Sequence, residues 1–275
     1  MLKQALASLL SENEQNELYS GFDVVGDIAI IKIPNSLQGK KKLIGRTILQ
    51  KMKPIKVVLM QRGPVSGEYR IRKLEHIAGE DRTSTIYKEY SCIFLVDVAK
   101  AYFSPRLSTE RLRIAKQVKE EERVLNMFAG VGIYSIIIAK MQPKCEVASI
   151  EINPDAHKSA LENAIINKVS QRVKAVLGDA KEVIKNGSIG KFDRVLMPLP
   201  ETASEYLRDA IFALKTSGGW IHYYCHMRAE DKESAINNSE KDLLKKLNGE
   251  GEIKFMKVVR EVGPKWFQVV ADIKF

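Results

Sequence analysis

Several residues in the second half of the chain could hold a ligand by type and spacing. The apolar run Arg123-Val124-Leu125-Asn126-Met127-Phe128 is followed by Ala129-Gly130-Val131-Gly132 and then an apolar helical stretch through Met141. Small residues at such a turn let the backbone approach a ligand, and the first turn of the helix leaves N–H groups unpaired. Glu151 lies 21 residues beyond Gly130, at the end of the next strand. A carboxylate there can accept hydrogen bonds from both hydroxyls of a ribose. Gly178-Asp179-Ala180 follows the third strand, placed to flank an adenine ring. The three features fit an adenosine-type cofactor lying across the carboxyl ends of parallel strands. A dinucleotide fingerprint would need a third small residue packing the helix, and Gly130-Val131-Gly132-Ile133-Tyr134-Ser135 offers serine. The glycines alone leave a Rossmann dehydrogenase open. Asp179 and a closing antiparallel hairpin favour S-adenosylmethionine over nicotinamide.

Positioning these groups requires alternating strands and helices. After residue 120 the pattern predicts strands at 123–128, 146–150, 173–177, 192–197 and 220–225. Helices are predicted through Met141 and over 154–167, 179–185, 203–214 and 233–247, with closing strands at 253–260 and 266–275 on either side of Gly263-Pro264. That alternation implies an α/β fold, a Rossmann-like parallel sheet with a terminal antiparallel hairpin. Before residue 100 the chain reads differently. A strand, a turn at Gly26-Asp27 and a second strand precede a helix over 40–52, a β-rich run 55–60, a turn-rich loop 63–68 and alternating strands within 85–99. This is a small α+β unit. The expected organisation is an N-terminal helix over 1–20, a small basic α+β domain over 21–100 and the cofactor domain over 101–275.

Composition narrows the classes. The chain has 275 residues, 45% hydrophobic and 28% charged, which excludes disordered, collagen-like and low-complexity classes. No stretch approaches the ~18–20 apolar residues needed to cross a bilayer. The N-terminus has a short apolar run meeting Ser11-Glu12-Asn13-Glu14 with no small-residue cleavage site, and reads as an amphipathic helix, not a signal peptide. Cys92, Cys145 and Cys225 form no C-x-x-C pair and the four histidines are scattered, so the expectation is an intracellular, cytoplasmic protein without a metal.

The charge excess is concentrated. From Gln38 to Arg82 there are 12 basic residues, Lys40, Lys41 and Lys42 among them, against four acids; from Lys100 to Lys119 there are six against one. Concentrated positive charge is the footprint of a polyanion partner. A lysine-rich solvated surface, as in heat-adapted proteins, is the alternative.

More specific segments follow in order. They are Gly67-Glu68-Tyr69-Arg70, His76-Ile77-Ala78-Gly79-Glu80, Tyr102-Phe103-Ser104-Pro105-Arg106-Leu107-Ser108-Thr109-Glu110-Arg111, Asn126 to Gly132, Glu151-Ile152-Asn153-Pro154 and Gly218-Gly219-Trp220-Ile221-His222-Tyr223-Tyr224. Through them the chain resembles the archaeal and eukaryal tRNA guanosine-37 N1-methyltransferases, over roughly residues 22–275. The resemblance implies a class I methyltransferase that uses S-adenosylmethionine and binds the anticodon stem-loop of tRNA, typically as a monomer. By position, Glu110 matches the general base for the guanine N1 proton; a salt bridge to Arg106 or Arg113 along a helix is its structural alternative. Arg70 matches the arginine facing the charge that develops on the base, with a phosphate contact as its alternative. Tyr102 and Arg106 match residues that shape the pocket for a flipped base, and Arg111 lies near the cofactor's methionyl carboxylate. Phe128, Gly130, Val131, Glu151, Ile152, Asn153, Asp179 and Ala180 are the implied cofactor contacts, and Lys40 to Lys42 the implied tRNA contact.

Two departures stand out. Where the family usually has Asn-Leu-Pro after the fourth strand, this chain has Pro198-Leu199-Pro200. A side-chain amide is lost at Pro198, close to both base and cofactor and flanking the catalytic Pro200. That change would suit action on the tricyclic wyosine-type derivative of the same nucleotide. Asn126 replaces the common aspartate, with a modest expected effect. A related branch transfers an aminocarboxypropyl group; it lacks the Arg106 arginine and carries a glycine-containing motif at 198–199, which this sequence does not resemble. Many archaeal members also carry a further N-terminal domain gripping the tRNA elbow, and with about 20 residues before the first strand it is expected to be absent or reduced to one helix. The alternative of another class, a non-catalytic RNA-binding protein on a degenerate fold, is opposed by Glu110, Arg70 and the intact cofactor turn.

Overall fold

The structure, a computed structural model, describes residues 6, 9–19 and 21–275. Its backbone divides after Pro105 into two compact units. Most of the N-terminal stretch expected to be helical over 1–20 is described, but residues 1–5, 7, 8 and 20 lie outside the described residues.

In the first unit, helix α1 (Glu12–Glu17) starts at a capping box: the Ser11 hydroxyl accepts from the Glu14 N–H and the Glu14 carboxylate from the Ser11 N–H. Leu10 and Leu18 flank it and are buried against Ile31, Ile44 and Ile48. Strands β1 (Asp23–Val25) and β2 (Ile28–Ile31) form a hairpin, α2 (Lys41–Lys51) crosses over to β3 (Val57–Gln61), and β4 (Leu74–Gly79) closes a sheet of order β1-β2-β3-β4. The β2–β3 pair is parallel and the other two are antiparallel. At Gly26, with φ of 57°, an added Cβ would fall 2.4 Å from the Ile86 carbonyl oxygen, so only glycine fits. Strand β4 is an addition to the sequence reading. It is an edge strand whose mixed burial gives no period-two alternation, so it leaves no pattern to find. Strands β5 (Ser84–Glu89) and β6 (Cys92–Asp97) form a separate hairpin, with Tyr90 and Ser91 both at positive φ in a tight two-residue turn.

The second unit runs α3 (Ser108–Gln117), β7 (Arg123–Asn126), α4 (Ile133–Met141), β8 (Glu146–Glu151), α5 (Pro154–Ile166), β9 (Val173–Leu177), α6 (Ala180–Lys185) and β10 (Arg194–Met197). It continues with α7 (Ala203–Ala213), β11 (Trp220–Arg228), α8 (Lys232–Leu247), β12 (Glu252–Gly263) and β13 (Trp266–Lys274). The sheet order is β12-β13-β11-β10-β7-β8-β9, parallel from β11 to β9 and antiparallel through the β12–β13 hairpin. The predicted Rossmann-like sheet and terminal hairpin are both present. Leu125, Val195, Ile221 and Ile273 are register partners in one row and are fully buried. On the other face, register sets His222 beside Asp272, and Tyr224 in one row with Val270 and Lys257.

Candidate active site

From β7 the sheet extends through β8 and β9 on one side and β10 and β11 on the other, so its winding reverses between β7 and β10. Ligands in open α/β sheets bind outside the strand carboxyl ends at such a reversal. Phe128, Gly130 and Val131 lie there after β7, Glu151, Ile152 and Asn153 after β8, Asp179 and Ala180 after β9, and Pro198 and Pro200 after β10. Chain order and strand order thus bring every predicted cofactor residue except Arg111 to one edge of the sheet.

The turn is held from beneath. Gly132 adopts φ of 83°, and a Cβ on it would meet Ala160 at 3.2 Å. Helix α4 therefore sits close to α5 because the residue is glycine. Ser135, in the place of the fingerprint's small residue, is buried and accepts from Asn126 Nδ2 at 3.1 Å and from the Ser149 hydroxyl at 2.6 Å. Asn126 thus joins the turn to α4 through its side-chain amide.

Glu151 closes the crevice. Its Oε2 accepts from the Gly130 N–H at 2.6 Å and its Oε1 from the Asn153 N–H at 2.9 Å. Burial pushes its pKa up, against the backbone N–H groups that favour the carboxylate. The Ile152 N–H also favours the carboxylate, and the acceptor capacity left beyond these donors suits a ribose hydroxyl. Asp179 is already engaged: Oδ1 caps α6 through the N–H groups of Lys181 and Glu182, and Oδ2 accepts from the Tyr206 hydroxyl at 2.9 Å. Burial and the Asp179 carboxylate push the Tyr206 pKa up to about 12. The Tyr206 ring meets Phe128 edge-on at 5.0 Å. Tyr206, on α7, escaped the sequence reading because nothing local marks it. Another omission is Thr202, whose buried hydroxyl, just past Pro198-Leu199-Pro200, has no hydrogen-bond partner among the described residues.

Glu110, in the first turn of α3, has no exposed surface. Its Oε1 accepts from Arg113 Nη2 at 2.8 Å and the Tyr224 hydroxyl at 2.8 Å; its Oε2 accepts from Arg113 Nε at 2.9 Å and Lys257 Nζ at 2.8 Å. The helical salt bridge to Arg113, weighed from the sequence as the alternative for this residue, is therefore present. Burial alone would raise the Glu110 pKa, but Arg113, Lys257 and Tyr224 outweigh it and hold the carboxyl below the ordinary glutamate range. Arg113 also grips Asp272 at 2.5 and 3.0 Å, and Asp272 accepts from His222 Nδ1 at 2.6 Å. Arg194 Nη1 lies 2.7 Å from His222 Nε2 and the same guanidinium pairs with Glu122. An arginine only donates, so His222 accepts at Nε2 and carries its proton at Nδ1. None of Arg113, Lys257, His222, Asp272 or Arg194 was predicted as a site residue. Arg113 is one helical turn from Glu110, whereas Lys257, His222, Asp272 and Arg194 are far apart in sequence and are brought together by strand register.

Arg111 is buried on α3, and Arg106 is exposed in the 3₁₀ turn Pro105–Leu107 that leads into it. In the first unit the Arg70 guanidinium lies over the Tyr102 ring at 5.6 Å, with Arg72 at 5.8 Å. Arg70 closes the turn from Gly67 with φ of 55°, a left-handed conformation that costs a non-glycine residue about 1 kcal/mol. Arg72, which the sequence reading counted only as charge, is buried against Asp23 and the Phe103 carbonyl. Lys40 is paired with Glu14 and Lys41 with Glu75. Lys42 and Arg46, one turn apart on α2, instead line an open cleft of about 400 Å³ with His76.

A parallel sheet of this order, with a glycine turn after one strand and a carboxylate after the next, is the class I methyltransferase fold. The chain belongs to the TRM5/TYW2 methyltransferase family: residues 85–252 match the TRM5/TYW2 methyltransferase domain, and residues 2–83 match the TYW2 N-terminal domain. It is 42% identical over 258 residues to the tRNA (guanine(37)-N(1))-methyltransferase Trm5b of Pyrococcus abyssi, covering 94% of this chain and 75% of that protein. It is 34% identical to the tRNA 4-demethylwyosine(37)-methyltransferase Taw21 of Saccharolobus solfataricus, covering 95% of this chain and 96% of that protein. The crystal structure of Methanocaldococcus jannaschii Trm5 in complex with adenosine matches with a TM-score of 0.80 at 33% identity, covering 96% of this chain and 76% of that one. Among the described residues no helix is long and apolar enough to cross a membrane.

Proposed function

We propose that this chain is an S-adenosylmethionine-dependent tRNA methyltransferase acting on the purine at position 37, at N1 of guanosine. The observation that carries the reading is the Glu151 carboxylate bonded to the Gly130 N–H at the winding reversal, in a chain 42% identical to an enzyme of that name. The residues fit the cofactor: Glu151 has acceptor capacity for a ribose hydroxyl, Phe128 and Tyr206 give an aromatic wall, and Thr202 brings an unpaired buried hydroxyl. When bound, the cofactor supplies an electrophilic methyl group. Gly130, Val131, Ile152, Asn153 and Ala180 shape the cradle, and the Asp179 carboxylate retains acceptor capacity for an adenine amino group. Arg111 is assigned to the cofactor's carboxylate.

On the nucleotide, Glu110 takes the N1 proton and Arg70 stabilises the negative charge that grows on the neighbouring carbonyl. Tyr102 and Arg106 hold the flipped base, with Pro198 and Pro200 bounding it. The phosphate contact centres on Lys42, joined by Arg46 and His76, because Lys40 is engaged by Glu14 and Lys41 by Glu75, which Arg62 shares. With the reading go a cytoplasmic location and a monomer, the latter checked by sedimentation.

A second reading has its own support. Pro198 removes the amide beside the base, and a relative matched over 96% of its length is named for 4-demethylwyosine. Methylation of the tricyclic base at the same position is therefore the competing substrate. The test supplies labelled S-adenosylmethionine with unmodified tRNA or tRNA bearing the tricyclic base and identifies the product by nucleoside mass spectrometry. Label at N1 of guanosine is the expected outcome. Label on the tricyclic base alone selects the second reading, and no transfer to either overturns both.

A further inference from the structure

The Glu110 carboxylate poses a problem for a base: all its acceptor directions are filled and none of its surface is exposed. The four contacts differ in how they are anchored. Arg113 binds both oxygens, and its outer edge is held by two bonds to Asp272, which is itself fixed by His222 and Gln117. Tyr224 is fully buried in the middle of the sheet, with the Tyr134 hydroxyl of α4 at 3.5 Å. Neither can withdraw without dismantling the unit's interior. Lys257 is different. It rises from β12, the edge strand, makes one bond to Glu110, and its side chain is 33% exposed while Glu110 is at 0%.

We propose that Lys257 is a placeholder for the substrate proton: its ammonium fills the one Glu110 lone pair that can be vacated, on Oε2, and withdraws when the target N1–H arrives. The N1–H bond then breaks towards Oε2, its proton passes to the carboxylate, and the electron pair stays on the nitrogen for the methyl group. Lys257 is a positioning residue in this scheme. It keeps the buried carboxylate ionised while the site is empty and marks the side from which the base is reached. The inference rests on the reading of Glu110 as the base.

The charged and titratable groups around the carboxylate are Arg113 and Arg111 on α3, Tyr134 on α4, His222 and Tyr224 on β11, Asp272 on β13 and Lys257 on β12. Only Lys257 is proposed to leave, which separates two pH profiles. The kcat/KM profile reports the free enzyme and the kcat profile the substrate complex. Lys257→Met should move the acid limb of kcat/KM up by about one pH unit, as loss of a cation at contact distance does, and leave the acid limb of single-turnover kcat in place. Lys257→Arg should restore the first limb. A purely structural lysine would move both limbs or neither, and either result overturns the proposal. Glu110→Gln is run alongside. If it is inactive and the Lys257 profiles do not separate, the placeholder fails while the base stands. If it turns over normally, both fall.

Discussion

The Gly130 N–H donates to Glu151 Oε2 at 2.6 Å, tying the turn after β7 to the end of β8 through one carboxylate. The same carboxylate is proposed to take the cofactor's ribose, so its loss acts twice. Glu151→Ala should weaken cofactor binding at least tenfold by isothermal titration, with Glu151→Gln between the two. The pH dependence has a definite sign. Burial raises the Glu151 pKa above its ordinary 4.5, and hydroxyl donors favour the ionised form. Cofactor affinity should therefore fall as pH drops through the raised pKa of the folded carboxyl, above its ordinary 4.5. Affinity flat across that pKa, or equal in parent and Glu151→Ala, would remove the ribose assignment.

A second consequence concerns stability. Asp272 is buried, but the His222 and Arg113 donors outweigh that burial and hold its carboxyl far below 3.8. Glu110 is likewise held low. Carboxyls with depressed folded pKa values contribute stability that is present above their unfolded values and lost as pH falls through the folded ones. His222 is kept neutral mainly by burial, with Arg194 and Arg113 adding to it against Asp272, so it contributes in the same direction below 6.5. Urea midpoints should begin to fall as pH drops below about 6.5, through His222, and fall further below about 4.5, where Glu110 and Asp272 add their loss. Asp272→Asn leaves Arg113 half-paired in a buried setting and should cost about 3–5 kcal/mol. A loss below about 1 kcal/mol would mean that water or a rearranged Glu110 replaces the missing partner.

The balance between what the sequence discloses and what it conceals follows from range. Gly130, Gly132, Glu151 and Asp179 sit at turns whose neighbours along the chain define them, so spacing alone brings them to one edge of the sheet. The strands of the second unit are short apolar runs separated by capped helices, with Asn153 and Asp179 accepting at the N-termini of α5 and α6. The Glu110 cage is a different kind of object. Lys257 reaches it only through the β12–β13–β11 register, which shifts between Ile253 and Phe255, between Val258 and Arg260 and between Glu261 and Gly263. A one-residue slip would turn Lys257 to the opposite face. No local pattern encodes that. The pairing of the lysine run is hidden for a related reason: Glu14 and Glu75, which pair with Lys40 and Lys41, come from other elements.

That redistribution of charge leads to a measurable contrast on the tRNA side. Each lysine or arginine that neutralises a phosphate adds about 0.7–0.9 to the slope of log affinity against log salt. Replacing Lys42 and Arg46 together by alanine should lower the slope for tRNA binding by roughly 1.5. Replacing Lys40 and Lys41 should change it by less than half as much, because Lys40 is held by Glu14 and Lys41 shares Glu75 with Arg62. Fluorescence anisotropy across a salt series separates the cases. Equal slope changes for the two double variants would spread the contact over the whole run, and an unchanged slope for both would move the tRNA elsewhere.

Pro198 offers the sharpest handle on substrate choice. It follows β10, whose last residue Met197 pairs in register with Tyr223 of β11, so the backbone there is fixed on one side by the sheet. Proline leaves only a carbonyl at a place where an asparagine would add one donor and one acceptor. A guanine has an N1–H, an exocyclic amino group and a carbonyl along one edge, whereas a tricyclic derivative has part of that edge closed into a ring. A lost amide therefore weakens the hold on the first more than on the second. One net hydrogen bond is worth about 0.5–1.5 kcal/mol. Pro198→Asn should thus raise the ratio of guanosine to tricyclic-base methylation by up to about tenfold, read as kcat/KM on the two tRNAs under one set of conditions. Parallel change on both substrates would assign the residue to the cofactor, and a ratio that moves towards the tricyclic base would reverse the argument.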